Sequence, residues 1–510
     1  MLIERPSPAT WPYLLALAAV SAVLRLPQLL SRNLLLEGDE CVLGLMGLHV
    51  ARGRDFPIFF YGQQYGLSIV EAPAAALSFL IAGVGPVPLK LAMLAVWTAG
   101  TCFYFLAFAR PLGRTRSLWI TLLLASMPAW SAASMKAWSG YLTAYTVTGA
   151  VLYLVTRNDN RRAVPWLVAG ALTGVIYFAH PLWLPGLLPI VLFFLWSSRK
   201  AAFWTAYLAG TLGVLSAGFA VKAIWFAGTV PAWVGPTAGN PHLLASLPRV
   251  ARQVYVGLTG SYYFGTAVPP GRVTTMVACV WLAALAVAVP LQIARLLTRR
   301  YLLWSHLLFV SALGTLAANW LLLDWRDARY VLPLHAPLVF MAGVELFDLA
   351  DRRRVAVKRC AAAIALMLAL QTAAMTEFAG YTFMWWTNPT GTPSESKTLR
   401  KVIGHLQARG VTHAFAMNAL LQWPIIFYSD ESVIARWKSA RERYQPYVAT
   451  VDRALDRGAP VAIVGYVGYT YGLERMVPDP QAIIYVDGKY FVYFNPDEET
   501  LRRAGFELSR

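Results

Sequence analysis

The chain has 510 residues, of which 57% are hydrophobic and only 14% charged, with a mean hydropathy of +0.51. A soluble domain carries about a quarter charged residues, so this composition excludes an ordinary soluble protein and points to a polytopic membrane protein. The net charge of +18 does not indicate a nucleic-acid partner, because the lysines and arginines stand in short loops between apolar runs, where they set topology.

The first apolar run, 11–31, follows Arg5. It is long enough to span and no small-residue cleavage site follows, so it reads as a signal-anchor helix. At about 20 residues per crossing, further spans are expected over 87–109, 117–135, 139–156, 164–179, 181–197, 203–227, 272–294, 301–322, 329–349 and 360–384. One more run, 68–84, is apolar but short, and it carries Glu71 and Pro73. The basic loops RPLGRTR, RNDNRR, SSRK, RLLTRR and DRRRVAVKR decide its topology. With Arg5 before the first helix and EGDE after it, the N-terminus is expected in the cytoplasm. Only a non-crossing 68–84 then puts every basic loop on that side. The expectation is about eleven spans, with 68–84 interfacial or re-entrant.

The outer side then holds an acidic loop (32–86), the turn SMKAWSGY, the His180-Pro181 break, a loop at 228–271 and the segment DWRDAR. Within 228–271, PHLLASLPRVARQVYVGL has helical apolar spacing and reads as an amphipathic interfacial helix. The segment 386–396, rich in Pro, Gly and hydroxyl residues, marks a linker. After it, 397–510 alternates helical and β-rich runs. KTLRKVIGHLQARG and RYQPYVATVDRALDRG are helices ended by Gly410 and Gly458, VTHAFAM and PVAIVGYV are strands, and AIIYVDGKYFVYF is a hairpin around Asp487-Gly488. The fold expected is thus a helical membrane domain over 1–385 with a small C-terminal α/β domain on the outer face.

The chemistry concentrates in 36–66, LEGDECVLGLMGLHVARGRDFPIFFYGQQYG. Its acids, Glu37, Asp39 and Glu40, stand at the mouth of a membrane helix, and a short amphipathic helix from Cys41 to Arg52 follows. Acids in such a place are costly unless solvated or employed. Asp39 and Glu40 suit a general base toward an acceptor hydroxyl, or are solvated acids that orient the first helix. Tyr61, Gln63, Gln64 and Tyr65 combine aromatics with amides, which suits sugar binding by stacking and hydrogen bonds, or an interfacial aromatic belt. Glu71 is an acid inside an apolar helix and a functional candidate on that ground. Arg326 and Arg329 stand at the outer end of a span, where arginine forks match a lipid phosphate or serve as interfacial charge. Lys136 and His180 are further candidates, with structural roles as the simpler reading.

The four cysteines lack metal-like spacing, which argues against a zinc site or a disulfide framework. No P-loop, no GxGxxG after a strand and no HExxH occurs in the sequence. No nucleotide, metal or other cofactor is therefore expected.

The GDE after the first helix, the short helix, GRDFPIFFYGQQYG and the apolar non-crossing helix with an acid together resemble the GT-C glycosyltransferases. The likeness is to the bacterial branch related to protein O-mannosyltransferases and the lipid A aminoarabinose transferase. RYVLPLHAPL and HPLWLP are similar to further segments of that branch. The resemblance covers about 1–385. It implies an inverting transfer of a sugar from a polyprenyl-phosphate donor to a glycan, lipid or protein acceptor outside a bacterial inner membrane. It implies Asp39 as the catalytic base, Glu40 as the adjacent acid of the motif, and Arg329 near the donor phosphate. Many relatives carry an acid in the second outer loop. Here that loop reads SMKAWSGY, which supplies no second carboxylate for a shared metal, and Lys136 in its place suits the phosphate. Two other readings are a transporter or flippase for a lipid-linked substrate, which calls for inverted repeats and broken midplane helices, and a non-catalytic scaffold whose outer domain binds a partner. No repeat is found, and a scaffold leaves EGDE and RDAR without a purpose.

Overall fold

The computed structural model describes residues 10–30, 34, 36–157, 162–225, 243–260, 271–298, 302–322, 328–352, 357–377, 395–468 and 472–508. Arg326 with its neighbours Asp324 and Asp327, and most of the linker 386–396, lie outside the described residues.

Helix α1 (Trp11–Val23) stops well before residue 31, and Pro27 lies in a one-turn helix, α2 (Leu26–Leu29). Helix α3 (Gly38–Ala51) is followed by a turn-rich segment and then by α4 (Glu71–Ala82). The 12 residues of α4 reach about 18 Å at ~1.5 Å per residue, short of a hydrocarbon core of about 30 Å. Its Leu77, Leu80 and Ile81 are exposed.

Helix α5 (Pro86–Leu112) comes next. The span expected over 117–135 is two helices, α6 (Arg114–Ala125) and α7 (Pro128–Ala133). Pro128 has no N–H to continue the first helix and is suited to start the second. Helices α8 (Tyr141–Arg157), α9 (Val164–Ala179), α10 (Leu184–Ser198) and α11 (Ala201–Trp225) follow. The expected interfacial helix is α12 (Leu243–Thr259), which packs on α7, on α13 (Arg272–Leu297) and on the single turn Ala328–Val331. Helices α14 (Leu303–Leu322), α15 (Leu332–Arg352) and α16 (Val357–Glu377) complete the membrane domain. Among the described residues, five helices are long and apolar enough to cross a membrane: Pro86–Leu112, Pro181–Ser198, Ala201–Trp225, Arg272–Leu297 and Arg329–Arg352. Trp11–Val23, Val164–Ala179 and Arg359–Met375 are apolar but shorter.

The C-terminal domain opens with α17 (Glu395–Ala408). Its remaining elements are β1 (His413–Ala416), α18 (Gln422–Tyr428), β2 (Ile434–Arg436), α19 (Gln445–Asp456), β3 (Val461–Tyr466), β4 (Ile484–Val486), β5 (Tyr490–Phe494) and α20 (Glu498–Arg503). The sheet order is β2-β1-β3-β5-β4, with β2, β1 and β3 parallel and β5 and β4 antiparallel. Asp487 and Gly488 both have positive φ, 49° and 65°, as a two-residue hairpin turn demands. Strand β2 and helix α18 are too short to stand out in the sequence.

Helix α3 departs from the amphipathic expectation. Every residue from Glu40 to His49 is buried. It packs on α4 and is also covered by α18. The contact is close enough that a Cβ at Gly44 would come within 2.5 Å of the Phe427 ring. A helix that is apolar all round is a buried helix, and here the C-terminal domain supplies the second cover. One apolar core accordingly runs from the membrane helices through α3 into that domain.

Candidate active site

The N-terminus of α3 is the centre of the site. Glu37 is its N-cap, and Glu40 three residues on reaches back, accepting from the Glu37 N–H at 3.3 Å. This reciprocal capping box satisfies donors that a helix start otherwise leaves orphaned. It also fixes Asp39, which lies between the two. The Asp39 side chain keeps 33% of its surface, and its Oδ1 accepts from Arg443 Nη1 at 2.7 Å.

Behind Asp39 is a closed charge quartet. Glu40 is fully buried and accepts from Lys90 Nζ, from Lys136 Nζ at 3.2 Å and from the Ala137 N–H at 3.2 Å. Glu37 accepts from the Trp138 indole N–H and lies 3.5 Å from Lys136. Burial pushes the Glu37 carboxyl up to about 7 against the pull of Lys136. Burial also opposes charge on Glu40, but Lys136 and Lys90 together hold it below the usual range. The expected partners Asp39 and Glu40 are thus separated in role: Asp39 faces the site and Glu40 the interior. Lys136, expected beside a phosphate, is enclosed with the two glutamates.

The SMKAWSGY loop is fastened from both sides. The Arg25 guanidinium, 4.4 Å from the centre of the Trp97 ring, donates to Ser134 Oγ at 3.0 Å and to the Trp130 carbonyl at 3.1 Å. Glu71 accepts from the backbone N–H groups of Gly140, Leu142 and Thr143 at 2.8–3.1 Å. It therefore caps α8 from a distant element. Burial pushes its carboxyl up to about 7 against those hydrogen bonds.

Arg329 stands 5.5–6.0 Å from the ring centres of Trp138, Tyr141 and Tyr330. His180 packs on Tyr141 at 4.1 Å and on Trp183 at 5.2 Å, with Tyr330 at 6.4 Å. Burial, and secondarily Arg329, press its imidazole down to about 3, so it is neutral. Its Nδ1 has no partner among the described residues. Burial pushes the Tyr65 hydroxyl above the tyrosine range, Arg443 and Arg329 oppose this, and Asp39 and Tyr330 add to it. Tyr65 thus lies within the field of all four.

Of the other aromatic and amide candidates, Gln63 is buried and Gln64 half-buried in the turn at Gly62. The Tyr61 hydroxyl donates to Asp55 Oδ2 at 3.0 Å and lies 2.7 Å from His49 Nδ1. It belongs to the junction with the C-terminal domain, where His49 Nε2 lies 3.0 Å from both Glu431 and Tyr447, and Arg52 and Arg54 reach Glu431 at 2.5 and 2.7 Å.

Sequence reasoning missed Lys90, Trp138 and Arg443. Lys90 was open to the rule that flagged Glu71, a charge inside an apolar run. Trp138 stands in the second loop without a pattern to mark it. Arg443 is separated from Asp39 by 404 positions and carries no local signal. Among the described residues, no three His, Cys, Asp or Glu side chains are grouped to hold a metal ion.

The sequence matches no protein-family model and no curated protein. The fold does match solved structures. ArnT from Cupriavidus metallidurans in the apo state aligns with a TM-score of 0.62 at 13% identity, over 96% of this chain and 99% of that one. The same protein bound to undecaprenyl phosphate aligns with a TM-score of 0.62, over 97% and 99%. The Archaeoglobus fulgidus oligosaccharyltransferase in complex with Zn and sulfate aligns with a TM-score of 0.51 at 11% identity, over 91% and 69%. The chain shares the fold of ArnT over nearly its whole length, the C-terminal domain included.

Proposed function

We propose that this chain is a membrane glycosyltransferase that moves a sugar from a polyprenyl-phosphate donor to an acceptor hydroxyl at the outer face of a bacterial inner membrane. The N-terminus is cytoplasmic and the C-terminal domain extracytoplasmic in this reading. The observation that carries it is a half-open carboxylate, Asp39, whose charge acts with that of Arg329 on Tyr65, while Arg329 in turn acts on His180, on a fold shared with ArnT.

Asp39 is the general base. It takes the proton of the acceptor hydroxyl as the oxygen attacks the anomeric carbon. The bond from that carbon to the phosphate oxygen breaks, and the polyprenyl phosphate leaves with the electron pair. A single displacement inverts the anomeric centre. Arg329, with Arg326, meets the charge on the leaving phosphate, since preorganised donors aimed at developing charge do most of the work in such a site. The neutral His180 offers Nδ1 to a sugar hydroxyl, and Tyr65, Tyr141 and Tyr330 are stacking surfaces. The isoprenoid chain lies in the apolar groove lined by Tyr104, Phe108, Trp183, Leu187, Pro333 and Phe340, whose Trp183 packs on His180. The acceptor is a glycan, lipid or protein.

The test is transfer from a panel of radiolabelled polyprenyl-phosphate sugars to membrane acceptors, with purified wild type beside Asp39→Asn. Transfer by wild type and a loss of about 10²–10⁴ in the variant are expected. Donor movement across reconstituted vesicles without transfer would replace this reading with a flippase.

A further inference from the structure

The C-terminal domain does more than cover the first loop: it brings an arginine to the candidate base. Arg443 lies in the segment between β2 and α19, and both sides of that segment are fixed. Next to it, Tyr444 packs on Tyr61 at 4.6 Å and on His49 at 5.1 Å. Beneath it, the turn at Gly62 (φ 70°) comes so near that a Cβ there would stand 2.5 Å from the Arg443 Cα. The guanidinium carbon is 5.3 Å from the centre of the Phe60 ring. The other carboxylate of the segment, Glu442, accepts from the Arg443 backbone N–H at 3.1 Å and from Gln422.

The ion pair with Asp39 is half-open, with side-chain exposures of 20% and 33%. Such a pair is easily exchanged for another partner. Arg443 and Arg329 also act on the same Tyr65 hydroxyl, so arginines from the two domains approach one side chain next to the Arg443–Asp39 pair. A phosphate, which an arginine fork binds bidentately, is a stronger partner for the Arg443 guanidinium than the single Asp39 oxygen it now holds.

We propose that Arg443 is a donor-phosphate ligand supplied by the C-terminal domain, and that it holds Asp39 until a polyprenyl phosphate arrives and draws it away. This rests on the glycosyltransferase reading above. Donor binding then frees the base, so the carboxylate is available only when a lipid phosphate is in place, and the donor binds before the acceptor reacts.

The test measures binding of undecaprenyl phosphate, undecaprenol and inorganic phosphate to full-length protein in detergent, for wild type, Arg443→Gln and Gly62→Val. Protease resistance of the C-terminal domain is followed in parallel to confirm that it stays docked. The expected result is undecaprenyl phosphate binding weakened about ten- to a hundredfold in Arg443→Gln. Undecaprenol should be unaffected, and Gly62→Val should behave like Arg443→Gln because its side chain displaces the segment. Undecaprenyl phosphate binding as tight as wild type in a docked Arg443→Gln overturns the proposal. So does equal loss of both lipids, or binding of inorganic phosphate alone. Sugar transfer is not read here. A wild type that binds undecaprenyl phosphate through Arg443 but transfers no sugar would sink the glycosyltransferase reading and leave this one standing. A wild type that transfers sugar while Arg443→Gln binds the lipid normally would do the reverse.

Discussion

Asp39 and Glu40 are neighbours in sequence with opposite surroundings. Asp39 meets one arginine at a half-open surface, whereas Glu40 is enclosed by Lys90, Lys136 and the Ala137 N–H. A surface ion pair contributes about 0–1 kcal/mol. Breaking a buried pair by removing one partner costs about 3–5 kcal/mol, because a charge is left uncompensated. Asp39→Asn is therefore expected to retain wild-type thermal stability while transfer is lost. Glu40→Gln is expected to lose several kcal/mol of stability before any effect on chemistry is measurable. Thermal unfolding in detergent beside the transfer assay distinguishes the two, and equal stability of both variants would contradict the quartet. The identity of these acids was legible in the sequence, but their division of labour was not, since Lys90 and Lys136 reach Glu40 from other elements.

At the level of elements, the SMKAWSGY loop depends on Glu71. One carboxylate accepts three N–H groups at the start of α8, which that helix would otherwise leave unsatisfied in a buried place. Glu71→Ala is expected to cost about 2–4 kcal/mol and to loosen residues 137–143, read as faster hydrogen exchange there. A purely sugar-binding Glu71 would instead raise the KM for the donor with exchange unchanged. Its carboxyl is pushed up to about 7 from an ordinary value near 4.5. The folded state therefore favours the protonated form, and that contribution is full below about 4.5 and is lost as pH rises through about 7. Helix α3 offers a second test. Gly44→Leu forces a side chain against Phe427, and overpacking of this kind costs about 1–3 kcal/mol. The expected outcome is an undocked C-terminal domain, visible as protease sensitivity, with the membrane domain still folded.

For the whole molecule, the junction of the two domains centres on Glu431. Burial opposes its charge, but His49, Tyr447 and Arg54 more than offset this and hold the carboxyl at about 2. A depressed acid gives stability that is present above its ordinary value near 4.5 and is lost as pH falls toward 2. Docking of the C-terminal domain is thus expected to persist at pH 5 and to weaken only below about 4.5. Glu431→Gln should weaken it at neutral pH by about 2 kcal/mol. Hydrogen-exchange protection of α3, corrected for the intrinsic pH dependence of exchange, checks both, and protection unchanged from pH 5 to 3 would count against the junction. If Arg443 is the domain's contact with donor phosphate, the same undocking lowers donor affinity.

The sequence by itself determined the membrane class, the α/β character of 397–510, the Asp487-Gly488 hairpin and the first-loop acids. These follow from composition, apolar run length, turn chemistry and charge placement, which are all local properties of the chain. Only the tertiary structure decided that α3 is buried on every side and that Glu40 and Lys136 are enclosed together. It alone decided that Glu71 caps another helix and that Arg443 reaches Asp39. The polar contacts among those outcomes join groups 69 to 404 positions apart. Burial and pairing are properties of the neighbours a residue acquires on folding, and those neighbours leave no periodicity in the chain.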